Sequence, residues 1–285
     1  MNYQHAYHAG NFADVFKHVC IQTVLTALNR KSTPYCYFET HAGAGSYNLA
    51  HRQARMTAES DGGIKRLVNQ TGNLPAGIVR YLNTVHAHNA AGTTAIRRYP
   101  GSPWLAAHNL RAGDRMVLCE LEAKTCGVLK QLFHSDHRVQ VHCRDGYAAL
   151  QALLPPQEHR GWVLIDPPYE AQKQEFSLIQ MALSNALKRW PQGIFAVWYP
   201  IKLHRELMPF YRWLRHCKAG SVLVAELYVG PADSPLRMNG CGMAFLNPPW
   251  KLDEELQSTL PTLASCLGQN APGTSQLEWL LHERA

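Results

Sequence analysis

Apolar residues in this chain fall into short runs separated by segments of helical spacing. Continuous apolar stretches rich in β-branched and aromatic residues predict strands at Tyr35 to Thr40, Met116 to Glu120, Val139 to Cys143, Trp162 to Asp166, Gly193 to Tyr199, Val222 to Val229 and Met243 to Asn247. Between two of them, Phe176, Ile179, Leu183, Leu187 and Trp190 recur at helical spacing until Pro191 and Gly193 stop the pattern. Ser102 followed by Pro103 reads as an N-cap with proline in the first helical position, opening a helix that ends near Leu110. Seven strands with interleaved helices predict an α/β fold, a doubly wound sheet whose ligands sit at the carboxyl ends of the strands. No internal repeat or low-complexity tract interrupts it.

The carboxyl ends of the first four predicted strands carry the candidate chemistry. The first runs into Glu39-Thr40-His41-Ala42-Gly43-Ala44-Gly45, a glycine turn that lets backbone approach a ligand closely. The second ends at Glu120, a carboxylate able to accept both hydroxyls of a ribose. The third ends at Asp145-Gly146, suited to an adenine amino group and ring nitrogen. The fourth ends in Asp166-Pro167-Pro168-Tyr169. Any one of these acids alone reads more readily as an exposed charge at a strand end; four in this order point to a cofactor pocket. The tetrapeptide points to the reaction. An exocyclic amino group is a poor nucleophile because its lone pair is delocalised into the ring. A carboxylate and a rigid backbone carbonyl can each accept one of its N–H groups while the tyrosine ring stacks on the base. The expected chemistry is methyl transfer to an amino nitrogen with S-adenosylmethionine as donor, without metal or covalent intermediate.

Spacing reveals an insertion. The second strand of a βαβ unit follows the first by about 30 residues, yet Glu120 lies 79 positions after His41. Residues 49–98 contain Arg52, Arg55, Lys65, Arg66, Arg80, Arg97 and Arg98 against Glu59 and Asp61, so +5 of the chain's formal +7 is concentrated there. Leu74-Pro75 opens a run with Ile78, Leu82 and Val85 on one helical face. The expected organisation is a core of residues 1–48 and 99–285 with a small helical insertion subdomain at 49–98, whose basic surface faces RNA or DNA phosphates. A solvated helical excursion is the plainer reading.

The remaining features narrow the setting. A pI near 9.0 favours a polyanionic partner. Eight cysteines include no C-x-x-C pair, so free thiols in a cytoplasmic protein are expected, with neither disulfides nor a zinc site. No stretch approaches a membrane span, and residues 1–18 are polar and histidine-rich, unlike a signal sequence; a soluble monomer is expected. His5, His8, Asp14 and His18 lack the spacing of known metal motifs. Asp14, Lys17 and His18 share one face of a probable helix, where a cation would suit a cofactor carboxylate or simply pair along the helix. The segment Gly230 to Gly242, with Arg237, Met238 and Asn239, is either a substrate contact or a connector.

Several of these segments together resemble one family. The run from Tyr3 to His18 with its H-A-G-N-x-A-D-V-x-K-H pattern, the T-H-A-G-A-G turn, Tyr99-Pro100-Gly101-Ser102-Pro103, L-I-D-P-P-Y, Trp198-Tyr199-Pro200 and Asn247-Pro248-Pro249-Trp250-Lys251 are similar to the RlmJ family of bacterial ribosomal RNA methyltransferases. The resemblance covers nearly the whole chain. It implies a class I, Rossmann-like methyltransferase fold, a seven-stranded sheet with the last strand antiparallel, and S-adenosylmethionine-dependent methylation of adenine N6 in 23S ribosomal RNA. Carried over by position, His18, His41, Ser102, Glu120, Asp145, Gly146 and Asp166 match cofactor contacts, with Gly43 in the glycine turn beside them. Asp166 matches the catalytic acid, supported by Pro167 and Tyr169, and Tyr3 matches a substrate-side tyrosine. Glu39 stands where the family has Asp, and Phe12 where it has His.

Asn247-Pro248-Pro249-Trp250 also fits an amino-methyltransferase tetrapeptide. It ends the antiparallel strand, so it should leave the sheet at the edge opposite the cofactor and serve only as a strand exit. The competing readings of the whole chain are a DNA adenine-N6 methyltransferase, a protein glutamine methyltransferase, whose motif usually begins with Asn, and a non-catalytic RNA-binding module, which has no need of the carboxylate series.

Overall fold

The structure is a computed structural model that describes residues 5–90, 95–230, 238–269 and 271–282, and of Arg52, Gln53 and Arg55 only the backbone. Its strands are β1 (Tyr35–Glu39), β2 (Ser46–Asn48), β3 (Arg98–Pro100), β4 (Arg115–Cys119), β5 (Val139–His142), β6 (Arg160–Ile165), β7 (Ile194–Ile201), β8 (Val222–Tyr228), β9 (Gly240–Leu246) and β10 (Thr274–Leu281). Its α-helices are α1 (Phe12–Asn29), α2 (Arg52–Thr57), α3 (Ile64–Val68), α4 (Ala76–Ala87), α5 (Ser102–Asn109), α6 (Ala123–Leu132), α7 (Gly146–Leu153), α8 (Gln172–Arg189), α9 (Met208–Leu214) and α10 (Leu252–Leu267).

The main sheet has the order β10-β8-β9-β7-β6-β1-β4-β5. Strands β5, β4, β1, β6 and β7 are parallel, and β9 runs antiparallel to both β7 and β8. All seven expected strands are present, and the strand over Met243 to Asn247 is antiparallel as anticipated. The sheet nevertheless has eight strands, because β10 adds at the β8 edge. Its sequence, TSQLEWLL, alternates exposed and half-buried positions. A search for continuous apolar runs passes over such an edge strand, whereas the alternation of Leu277 and Trp279 with polar residues marks it. Strands β2 and β3 form a separate two-stranded antiparallel ribbon.

Strand β1 lies at the centre of the parallel part, and every residue of it is buried. Apolar clusters pack on both faces of the sheet, as a doubly wound sheet requires. Helix α1 is buried over almost its whole length despite carrying Asp14, Lys17, His18, Gln22 and Thr23. Those polar side chains therefore need partners. Thr23 donates to the Val19 carbonyl at 2.8 Å, and the Gln22 amide donates to Asn109 at 2.9 Å. Asn11 caps the helix by accepting the Asp14 N–H at 2.9 Å.

The stretch 49–98 is largely helical, with α2, a 3-10 turn at Glu59–Gly62, α3 and α4. Ile64, Leu67, Ile78, Tyr81 and Val85 are buried in the same cluster as residues of α1 and α10, so the stretch shares the core on that face. Gly63 lies so close to the amino-terminal segment that a Cβ would come within 2.0 Å of the Gly10 carbonyl oxygen.

Two expectations are corrected here. Cys126 in α6 and Cys143 after β5 form a disulfide, so these two are not the free thiols anticipated. Helix α6 lies beside β5 and brings their Cα atoms to 5.6 Å across a sequence separation of 17, a pairing that a scan for C-x-x-C spacing cannot reveal. The other six cysteines are free. Ser102 is the first residue of α5 rather than its cap, which is Gly101.

Asn247 closes β9 in the left-handed region, at φ 53°. Its amide donates to the carbonyls of Pro191 at 2.8 Å and Gly193 at 2.9 Å, and its side-chain oxygen accepts the Gly220 N–H at 2.8 Å. The second tetrapeptide is thereby consumed in tying the loops at that end, and its Trp250 side chain is exposed. Asn247→Ala should destabilise the fold by about 2–4 kcal/mol, from the lost hydrogen bonds and the strained φ. Denaturant unfolding measures this, with S-adenosylmethionine affinity expected to stay within about twofold; loss of affinity at unchanged stability would make Asn247 part of a site.

Candidate active site

A cleft of about 1340 Å³ opens at the carboxyl ends of β1, β4, β5 and β6. His18, His41, Gly43, Ser102, Glu120, Asp145, Gly146, Asp166, Pro167 and Tyr169 all line it, which brings together every expected site residue that the structure describes. Tyr3 lies outside the described residues. The volume exceeds that of a typical small-molecule pocket, roughly 300–1,000 Å³, so there is room for a second group beside a cofactor.

Each side chain is positioned by the chain around it. Glu120, just after β4, accepts the Gly43 N–H at 2.9 Å on one carboxylate oxygen and the Glu122 N–H at 2.8 Å on the other. Gly43 adopts φ 63°, and a Cβ there would lie 2.6 Å from the Tyr47 hydroxyl. Asp145 caps α7 by accepting the Ala148 N–H at 2.7 Å. A Cβ on Gly146 would lie 2.1 Å from the Thr40 carbonyl oxygen. That contact is with backbone, which cannot swing aside, so the start of α7 sits directly on the exit of β1.

The floor of the cleft holds buried ionisable groups. Glu39, at the end of β1, accepts the Tyr37 hydroxyl at 2.9 Å and the Ser102 hydroxyl at 2.5 Å. Burial pushes its carboxyl up to about 8, against the opposing pull of the two hydroxyl donors and Lys17. His18 stacks on Tyr99 and shares a 2.9 Å hydrogen bond between Nδ1 and the Tyr99 hydroxyl. Burial lowers its imidazole to about 3, so it is neutral, and its buried Nε2 has no partner among the described residues. His41 is likewise lowered to about 4 by burial, and its Nδ1 lies 2.8 Å from the Thr40 hydroxyl.

Lys17 connects the helix to the reaction centre. Its Nζ lies 2.7 Å from Asp166 Oδ2 and 3.1 Å from Asp14 Oδ1, and 5.9 Å from the centre of the Trp198 ring. The intrahelical ion pair foreseen from the sequence is present, and the same ammonium reaches across to a carboxylate 149 positions away. Asp14 in turn accepts the Gly10 N–H at 2.9 Å and lies 3.0 Å from His5. These nearby cationic groups hold its carboxyl well below the usual range despite the larger opposing effect of burial. His8 and Asn11 both contact Glu59, at 2.8 and 2.9 Å, so the 3-10 turn at Glu59–Gly62 grips the amino-terminal segment along the cleft. Phe12, the departure from the family pattern, is buried and lines the same wall.

Tyr169 donates its hydroxyl to the Trp198 carbonyl at 2.5 Å, with its ring edge-on to Trp198 at 5.9 Å and tilted against Phe176 at 5.6 Å. Trp198 was expected only as part of the family resemblance; its place in the cleft follows from β7 running beside β6. Met238 also lines the cleft, while Asn239 is buried and its backbone N–H donates to Ile201 at 2.9 Å. Arg237 lies outside the described residues.

Comparison with known proteins places this arrangement. Residues 32–281 match the family model described as RsmJ: Ribosomal RNA large subunit methyltransferase D, RlmJ. This chain belongs to that family. It is 37% identical over 283 residues to proteins named Ribosomal RNA large subunit methyltransferase J from Haemophilus influenzae and from Escherichia coli, covering 99% of this chain and 100% of each relative. A Legionella pneumophila protein of known crystal structure superposes with a TM-score of 0.86 at 36% identity, covering 95% of this chain and 98% of that one. A probable spermidine synthase from Corynebacterium glutamicum, at 12% identity and a TM-score of 0.51, covers 95% of this chain and 76% of its own, and shares the fold alone. The architecture is the Rossmann-like α/β fold of methyltransferases, with antiparallel strands at its carboxyl-terminal end.

The cleft fits S-adenosylmethionine on its own chemistry. Glu120 suits a ribose, and exposed Leu121 and Val128 on the same wall suit the face of a base. Asp145 beside Gly146 suits the edge of that base, and His18, whose Nε2 has no partner among the described residues, lines the same cleft.

The buried Glu39 makes a pH prediction. Its carboxyl moves from an ordinary value of 4.5 to about 8 on folding, so the folded state holds the extra proton between these values. Stability from this group is fully present below about pH 4.5 and is lost as pH rises through about 8. Glu39→Gln removes the titration. Unfolding free energies from pH 5 to 9 should show the variant gaining on the wild type by on the order of a few kcal/mol toward high pH; parallel curves would refute the buried, proton-holding Glu39.

Proposed function

We propose that this chain transfers a methyl group from S-adenosylmethionine to the exocyclic N6 of one adenine in 23S ribosomal RNA. That it is a ribosomal RNA large subunit methyltransferase follows from its family; the amino nitrogen is our reading of the cleft. The observation that carries it is the position of Asp166-Pro167-Pro168-Tyr169 at the exit of β6, in the same cleft as Glu120, Asp145 and Gly146. The family's cofactor-contacting positions and its methyl-acceptor motif thus converge on one space.

S-adenosylmethionine, when bound, supplies an electrophilic methyl group on a sulfonium. The residues of the chain prepare the nucleophile. Lys17 occupies Asp166 Oδ2, while Oδ1 has no partner among the described residues and is available to accept one N6 proton. The Pro167 carbonyl, also without a partner among the described residues, accepts the other, held by the restricted backbone of two consecutive prolines. Withdrawing both N–H groups toward acceptors draws the nitrogen toward a tetrahedral, nucleophilic shape. Tyr169, its hydroxyl anchored on Trp198, offers its ring for stacking. Methylation leaves N6 with one proton to lose, which passes to the Asp166 acceptor or through it to solvent, and rate acceleration comes from orientation and from stabilising the charge that grows on N6. The adenine must leave its stack to enter, which costs a few kcal/mol and less in a loop than in a duplex. Tyr3 retains the substrate-side role that the resemblance gives it.

Asp166→Ala should lower labelled-methyl incorporation into deproteinised 23S RNA by at least about a hundredfold, with S-adenosylmethionine affinity by calorimetry within about tenfold of wild type. Turnover at the wild-type rate would sink the proposed role. With the wild-type enzyme, the label should enter 23S RNA and not duplex DNA; equal labelling of DNA would replace the RNA reading with that of a DNA adenine methyltransferase.

A further inference from the structure

The excess of positive charge in residues 49–98 is not presented evenly. Lys65 pairs with Asp61 at 2.7 Å, Arg66 donates to the Gly268 carbonyl at 2.5 Å, and Arg80 pairs with Glu255 at 2.7 Å. Arg97 and Arg98 are exposed, and neither side chain has an acidic partner among the described residues. Their backbone is held in place. Asn89, just past the end of α4, accepts the N–H of Arg97 at 3.0 Å and of Arg98 at 2.9 Å through one side-chain oxygen, and its amide donates to the Arg98 carbonyl at 2.9 Å. Two unneutralised guanidinium groups thus stand on a fixed piece of chain leading into β3.

Beside them is a short stack of rings. Trp104 and His108, one turn apart on α5, have nearly parallel rings (12°) with centroids 5.2 Å apart, and His88 packs on Trp104 at 4.1 Å. His88 is fixed by a 2.7 Å contact to the Ser46 hydroxyl. Burial lowers its pKa, and the nearby charges of Arg98 and His108 push it the same way, which locates all three groups together. His108 is exposed and forms the outer end of the stack. The ridge is tied to the wall of the cleft, since Ser46, which holds His88, sits between Ala44 and Tyr47, and both of these line the cleft.

We propose that this ridge is the docking surface for the RNA strand flanking the target adenine. Arg97 and Arg98 contact two of its phosphates, and an unpaired base lies on His108, extending the Trp104–His108 stack. Unneutralised cations next to an outward-facing aromatic stack are the combination by which proteins hold single-stranded or looped RNA. Trp104 and His108 lie outside the inserted stretch, so the contact surface spans the insertion and the core. The proposal rests on the RNA reading above and specifies where that RNA is held.

The test uses steady-state methylation of deproteinised 23S RNA over a range of salt concentrations, alongside S-adenosylmethionine calorimetry. The double variant R97A/R98A should raise KM for RNA on the order of tenfold, with kcat and cofactor affinity within about twofold. The slope of log KM against log salt should fall by about 1.4, the loss of two single-strand phosphate contacts. His108→Ala should raise KM by roughly fivefold or more at an unchanged salt slope, as loss of stacking does. K188A/R189A removes two exposed charges from the far end of α8 and should change neither KM nor slope. Wild-type KM and slope in R97A/R98A would overturn the proposal, as would an equal effect from K188A/R189A, and a parallel loss of cofactor affinity would reassign the arginines to the cofactor pocket. Absence of RNA methylation by the wild-type enzyme would instead refute the function on which the proposal rests.

Discussion

The ammonium of Lys17, held between Asp14 and Asp166, ties together the parts of this molecule that matter for its chemistry. Removing a charge from water costs several kcal/mol unless partners compensate it, and here Lys17 and Asp14 are almost wholly enclosed, at 7% and 4% exposed, with Asp166 at 14%. Each member is therefore intolerant of losing the others. The pairing fixes the first turns of α1 against the exit of β6. Through Asp14 it also fixes the segment before the helix, because the same carboxylate accepts the Gly10 N–H and contacts His5. A helix that would otherwise read as an ordinary core element becomes one wall of the active site.

The sheet supplies the other walls by topology. Strand β1 is flanked by β4 and β6 in parallel register, so their carboxyl ends open on one side and present Glu120 and Asp166 around the glycine turn after β1. The close approach of Gly146 to the Thr40 carbonyl seats α7 on that turn and brings Asp145 to the same rim. At the opposite edge, the reversed direction of β9 sends Asn247 away from the cleft, where its three hydrogen bonds tie loops. Two tetrapeptides of similar composition thus receive different work from strand direction alone.

What the sequence discloses and what it hides follow from the range of each interaction. Strand ends were legible because apolar runs of the parallel sheet stop abruptly on polar residues; the residues read there lie in one cleft with His18 and Ser102, which only the family resemblance supplied. Periodicity located the helix around Ile78 and Val85. Contacts between distant positions were not legible. The Lys17–Asp166 pair spans 149 positions, the Glu59 contacts to His8 and Asn11 span 51 and 48, and the Cys126–Cys143 bond depends on how α6 lies beside β5. Ser102 looked like a cap because serine before proline usually is one; its hydroxyl instead donates to the buried Glu39 carboxyl, and Gly101 holds the cap position.

The departure at Glu39 bears on the charge balance of the site. Placing a second ionised carboxylate beside Asp166 in a buried floor would force like charges together, and Asp166 is among the groups that raise the Glu39 pKa. With that carboxyl held near 8, the floor at neutral pH has a largely protonated Glu39, a neutral His18 and a neutral His41. On the catalytic wall Lys17 is shared between Asp14 and Asp166, and the buried groups behind it, held in their neutral forms, add no charge to that cluster. A further charged group there would have to be matched by another buried partner, and the hydrogen bonds that Glu39 receives come from two hydroxyls.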